Sequence, residues 1–216
     1  MKKLLLTAFE PFAGQQINPT LEIVKDIRAM AFANAQLEVL ELPVACFDAV
    51  ELTIHRMGEF KPDIILMLGE AGGRASIHPE RVAINMDDFN IPDNTGHQLK
   101  GKPIIDGAPV GYFSSLPINE IVDQLKQAHI PAEISNTAGL YVCNRLFYSV
   151  MHFIAKNDLP TLAGFIHVPY LHEQTLSLNV ERHSPDVPWL AREVMVAGIK
   201  IAIEVCLRQD SRPQFI

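Results

Sequence analysis

The strongest constraint on this chain is an alternation of short, nearly continuous apolar runs with longer stretches of helical period. The runs KKLLLTAF, QLEVLELPV, DIILMLGEAGG and LAGFIHVPY read as strands, with ERVAINMDDF and AEISNT as shorter ones. Between them, NPTLEIVKDIRAMAFAN, CFDAVELTIHRMGEF, INEIVDQLKQA and AGLYVCNRLFYSVMHFIAKN carry apolar residues at helical spacing, and VPWLAREVMVAGIKIAIEVCLR closes the chain as a helix. Strands that are apolar throughout are buried on both faces. They therefore imply a parallel or mostly parallel sheet covered by helices and joined by right-handed crossovers. The 216 residues show no internal repeat or linker, so a single domain over residues 1–216 is expected.

Composition narrows the partners. The formal charge of −7 comes with no basic cluster, which argues against nucleic acid or an anionic membrane. No run approaches the roughly 20 apolar residues of a membrane helix. The opening MKKLLLTAFEPF imitates a signal peptide, but its apolar run of about six residues is short of the roughly 7–15 such a peptide needs. A cytoplasmic location is expected. Cys46, Cys143 and Cys206 are odd in number and far apart, without CxxC or a local Cys/His cluster, so neither a disulfide framework nor a structural zinc is expected. The polar stretch around IPDNTGHQLKGKPIIDGAPVGY, between Met86 and Tyr112, is long for a connection and is expected to form a hairpin or a lid.

In open α/β sheets ligands bind beyond the carboxyl ends of the strands. FEPFAGQQINP, GEAGGRASIHPERVAIN, SNTAGLYVC and FIHVPY all fall there. Cys143 stands early in a helix. Packed with Leu140, Leu146, Phe147 and Val150 it would simply fill the core, as free cysteines commonly do. Set among the unpaired N–H groups of a helix start, it would instead be a nucleophile whose thiolate those groups favour. His167, at the end of a strand in the neighbouring crossover, is the candidate base. The other histidines, His183 included, sit on helix faces or in loops. A carboxylate best orients such a base, and Glu80 is the candidate, with a surface pairing to Arg74 or Arg81 as its ordinary alternative. HExxH, GxSxG, a phosphate loop and the dinucleotide fingerprint are all absent.

The four motifs, in this order and over nearly the whole chain, resemble the pyroglutamyl peptidase I (pyrrolidone-carboxylate peptidase) family. The resemblance implies a three-layer α/β/α fold with a mostly parallel, mixed central sheet, and a cysteine peptidase with a Cys–His–Glu triad. It carries the nucleophile onto Cys143, the base onto His167 and the orienting carboxylate onto Glu80. It implies peptides with an N-terminal pyroglutamate as substrates, no cofactor or metal, and a homo-oligomer, dimer or tetramer. Phe9 and Phe12 would sandwich the flat lactam and Asn18 would help position it. Two aromatics three apart beyond a strand end suit a planar ring with polar edges, although they would equally pack under the first helix.

Two residues depart from the family pattern. Glu70 stands where GQAGGR is usual, beside the expected ring site, and Asn90 stands before IPDN where many members carry arginine. Both bear on substrate identity. They leave open a divergent cysteine hydrolase of another small amide, and, from a different class, a non-catalytic α/β binding module.

Overall fold

The computed structural model describes residues 1–176 and 187–209; His183 lies outside them. Four parallel strands form its centre: β1 (Lys2–Phe9), β2 (Ala35–Leu42), β3 (Ile64–Glu70) and β7 (Leu162–Val168). A two-residue strand, β4 (His78–Pro79), adds antiparallel to β7, giving the order β2-β1-β3-β7-β4. The sheet is thus mixed and mostly parallel, as the alternation and the resemblance led one to expect. The chain leaves β1 for β2 on one side and returns to lay β3 on the other. The crevice between the carboxyl ends of β1 and β3 is therefore the topological switch point, where open α/β sheets bind ligands.

Strand parity divides the core. Leu4, Leu6 and Ala8 of β1, Ile64, Leu66 and Leu68 of β3, and Leu162, Ile166 and Val168 of β7 face one layer. That layer is made of helices α1 (Pro19–Arg28), α3 (Ile118–Gln127) and α5 (Arg192–Arg208). The intervening residues Leu5, Phe9, Ile65, Met67, Ala163 and Phe165 face α2 (Asp48–Phe60) and α4 (Val142–Lys156). Both faces are dry, which explains why these strands read as apolar runs. His167 has the parity of Phe165 and so belongs to the α2/α4 face, at the strand's end.

Helix starts are set locally. Asn18 caps α1 by accepting the Thr20 N–H at 3.0 Å, with Pro19 at the first helical position. The helix α4 is shorter than its sequence pattern. It begins at Val142 rather than Ala138, because Gly139 takes a positive φ of 75° and Tyr141 is extended. ERVAINMDDF yields only Val82–Ile84 (β5), which pairs antiparallel with Gly111–Phe113 (β6). The long polar stretch is thus the connection of a hairpin. AEISNT forms no strand: its residues make only isolated bridges, Ala132 with Ile77 and Ser135 with Glu80. No helix among the described residues is long and apolar enough to cross a membrane.

Gly164 tests this packing. A Cβ there would stand 2.3 Å from Ser114 Oγ and 2.7 Å from Leu116 Cδ1. Gly164→Ala should cost about 1–3 kcal/mol, the usual penalty for overfilling a packed site, read as a lower urea midpoint with an unchanged slope. An unaltered midpoint would mean that the Ser114–Leu116 segment yields freely.

Candidate active site

The switch-point crevice holds a pocket of about 270 Å³ whose lining includes Phe9, Phe12, Asn18, Glu70, Cys143 and His167. Four of these six come from the ends of β1, β3 and β7 or from the start of α4, Phe12 lies in the turn after β1, and Asn18 caps α1. Arg74, Val44 and Tyr141 also line it.

Cys143 is the second residue of α4, closer to the helix start than the sequence pattern places it. No side chain caps this helix, so its first N–H groups have no capping partner. The sulfur lies over Gly69, where an added Cβ would come within 3.0 Å of Sγ and 2.6 Å of Phe165 Cε1. Gly69 is the register partner of His167 on the adjacent strand, which brings thiol and imidazole to one spot. Among the described residues no hydrogen bond joins them. Burial first, then the negative charges of Glu80 and Glu70, pushes the thiol up to about 12, while its own backbone N–H pulls the other way. The helix start therefore favours a thiolate, as expected from its position, but two carboxylates and desolvation outweigh it. At neutral pH Cys143 is a thiol.

His167 is nearly buried, and its Nδ1 lies 2.7 Å from Oε1 of Glu80. Glu80 is fully buried. The same oxygen accepts from Arg74 Nη1 at 3.0 Å, and Arg74 Nη2 donates to the Thr137 carbonyl at 3.2 Å. Burial opposes an ionised Glu80, but the hydrogen bond and charge of His167, with help from Ser135 and Arg74, hold its carboxyl below the usual range. Glu80 thus meets His167 and also pairs with Arg74, but as a buried carboxylate and not in the surface pairing that was its ordinary alternative. Arg81 turns away, donating to Asn136 Oδ1 at 2.8 Å.

The aromatic end of the pocket is built by β1 and the turn after it. Phe9 is buried, and Phe12 lies 6.2 Å from the Tyr141 ring, centroid to centroid. Tyr141 stands two residues before Cys143 and was not singled out from sequence, where it reads as one more apolar helix position. Asn18 lines the pocket, but its Oδ1 accepts from Thr20 and its Nδ2 donates to the Glu10 carbonyl at 3.0 Å, leaving one amide hydrogen. Glu70 pairs with neither Arg74 nor Arg81. Gln174 Nε2 donates to its Oε2 at 2.7 Å, and burial raises its carboxyl to about 7 against that bond. Asn90 is exposed and outside the lining, and its carbonyl accepts from Gln98 at 3.0 Å.

A second Cys/acid/His set comes together from distant positions: Cys46, Asp93 and His97. It is not part of the pocket lining. Cys46 is fully buried, with burial and then Asp93 pushing its thiol up to about 12. Of the two sets, the one with Cys143 lines the switch-point pocket.

Comparison with known proteins follows the geometry. The family model described as pyroglutamyl peptidase matches residues 2–209. The pyrrolidone-carboxylate peptidase of Vibrio vulnificus (strain YJ016) is 42% identical over 210 residues, covering 97% of this chain and 95% of that protein. That of Brevibacillus brevis is 44% identical over 210 residues, with the same coverage of 97% and 95%. Among solved structures, a mutant pyrrolidone carboxyl peptidase from P. furiosus superposes with a TM-score of 0.91 at 42% identity, covering 96% of this chain and 99% of that one. Pyroglutamyl peptidase I of Bacillus amyloliquefaciens gives 0.90 at 39% identity, covering 98% and 99%.

The seat of the sulfur is testable. Gly69→Ala should displace Sγ and the Phe165 ring, and lower the alkylation rate of Cys143 by about a hundredfold, the scale of a reacting atom misplaced by an ångström. Peptide mapping after timed iodoacetamide exposure measures it. An unchanged rate would show that the thiol is not seated on Gly69.

Proposed function

Since the chain belongs to the pyroglutamyl peptidase family, whose members are cysteine-type peptidases, we propose that it removes an N-terminal pyroglutamyl residue from peptides through Cys143, His167 and Glu80. The observation that carries this reading is the hydrogen bond from His167 to the buried Glu80 in the pocket that also holds the Cys143 thiol. The lactam would lie against Phe9 and Phe12, with the spare amide hydrogen of Asn18 near its polar edge. The same proposal takes residues 1–216 as one domain, cytoplasmic and homo-oligomeric, acting without a cofactor and without nucleic acid or membrane.

The chemistry follows from the charges. Because Cys143 rests as a thiol, its proton passes to His167 as sulfur attacks the carbonyl joining the lactam residue to the next. Glu80, bonded to Nδ1, holds the ring with Nε2 free for that proton and stabilises the imidazolium. Arg74, bonded to the same oxygen, adds to what keeps Glu80 ionised. The uncapped N–H groups at the start of α4 are suited to the tetrahedral oxyanion. His167 then gives its proton to the leaving amine, and afterwards takes one from the water that cleaves the thioester.

Glu70 favours a second reading. Above about pH 7 it is ionised, and an anion in the pocket suits a small amide bearing a cation better than a neutral lactam. A panel of chromogenic amides, pyroglutamyl and aminoacyl, separates the two. Turnover confined to aminoacyl amides would replace the first reading with the second.

Two outcomes are expected. Cys143→Ser should abolish hydrolysis of a pyroglutamyl amide, Cys206→Ala should retain it, and a mechanism-directed alkylating agent should label Cys143. Labelling of Cys46 instead would move the nucleophile. Glu70→Gln should raise kcat/KM for the pyroglutamyl amide at pH 8. The gain should be about 1–2 kcal/mol, or roughly 5- to 30-fold, because the amide can donate to the lactam carbonyl where a carboxylate cannot. The sign follows from the raised carboxyl: below about pH 7 the native Glu70 is neutral and can itself donate, so the advantage should shrink by pH 6. Profiles parallel from pH 6 to 8 would show that Glu70 does not touch the ring.

A further inference from the structure

Outside the pocket, one cluster of ligand-type side chains has no part in the chemistry above. One ligand atom each from Cys46, Asp93 and His97 lies within 4.8 Å of the others. Cys46 and Asp93 are buried and His97 is exposed, so the group is closed beneath and open on one side. The carboxylate is fixed in direction. Its Oδ1 accepts the N–H groups of Thr95 and His97, each at 2.9 Å, and the Thr95 hydroxyl at 2.7 Å. Its Oδ2 accepts the Cys46 N–H at 2.8 Å, and the Cys46 sulfur stands within 4.8 Å of the carboxylate. His97 is held too, with Nδ1 2.8 Å from the Thr95 hydroxyl and its ring edge-on to Phe47. Around Asp93 the donors are three backbone N–H groups and the Thr95 hydroxyl, and beside them stands the Cys46 thiol. The thiol proton can leave.

We propose that Cys46, Asp93 and His97 form a binding site for a divalent cation of the zinc class, which takes the place of the thiol proton. The donor set selects the class. One thiolate, one carboxylate and one imidazole are the ligands zinc and its thiophilic neighbours take, whereas calcium and magnesium require oxygen ligands. Charge balances: the dication displaces one proton to solvent and meets two anionic ligands and a neutral imidazole. Three protein ligands leave a fourth position for water on the exposed His97 side.

The site is tied to the pocket. Asn94, next to Asp93, donates from Nδ2 to Glu10 Oε1 at 2.8 Å and to the Pro11 carbonyl at 3.0 Å, and from its N–H to the Val44 carbonyl at 2.9 Å. The Tyr141 hydroxyl donates to the Pro92 carbonyl at 3.0 Å. Val44 and Tyr141 line the pocket, and Pro11 precedes Phe12. A cation joining Cys46 to the 93–97 loop would therefore stiffen the backbone that carries the aromatic end, and would stabilise the fold by mass action.

The test uses the full chain in a Cys143→Ser background, so that the pocket thiol contributes no signal. Titration with Cd²⁺ should give a saturable thiolate-to-metal absorption band, release of one proton per metal in a weakly buffered solution, and a higher Tm, with Zn²⁺ competing for the same site. Cys46→Ser should abolish the band. His97→Ala, a change at an exposed ring, should weaken binding by about tenfold or more, at least the scale of altering a metal's surroundings. No band with metal in excess, or a band unaffected by both substitutions, overturns the proposal. These readouts do not depend on peptidase activity, so they stand or fall apart from the functional reading above.

Discussion

A carboxylate with no exposed surface cannot stay ionised by itself, and everything around the pocket answers to that constraint. Glu80 meets it with one oxygen shared between His167 Nδ1 and Arg74 Nη1. The sharing fixes more than charge. It orients the ring at the end of β7, and through Arg74 Nη2 it anchors the Thr137 carbonyl in the segment that leads into α4. Backbone bonds run beside it, from the Glu80 N–H to the Phe165 carbonyl and from the Arg81 N–H to the Ser135 carbonyl, both at 2.8 Å. Base, acid and helix start are thus held by one small network whose centre water does not reach.

Much of this was legible as pattern. The apolar runs gave the parallel sheet because burial on both faces leaves no polar positions to mark alternation, and three of the four motifs fell at the ends of β1, β3 and β7 while the fourth leads into α4. Where the reading slipped, the cause was local backbone. Ala138 to Tyr141 have helical composition, yet the positive φ of Gly139 and the extended Tyr141 delay α4 to Val142. AEISNT has strand composition, but its hydrogen-bonding partners are single residues and not a ladder.

The unread parts of the site share a different cause. Gln174 reaches Glu70 across 104 positions of sequence, and Cys46 meets Asp93 across 47. Such pairs leave no periodic trace, since each is made by one side chain at a turn. Glu70 was noticed only because it broke a motif. Burial makes it a desolvated acid whose carboxyl is raised to about 7, against the bond from Gln174.

The parity of β7 has a further consequence. Ile166 belongs to one layer's core and His167 to the pocket, and Gly69 is paired with His167 by the same ladder that pairs Leu66 with Gly164. A slip of one residue would drive a histidine into aliphatic packing and lift Ile166 into the crevice. The ladder's alignment is therefore proofread by solvation. A misaligned chain would bear an unsatisfied imidazole in its interior and an oily residue at its mouth, and would be less stable than the aligned one for both reasons.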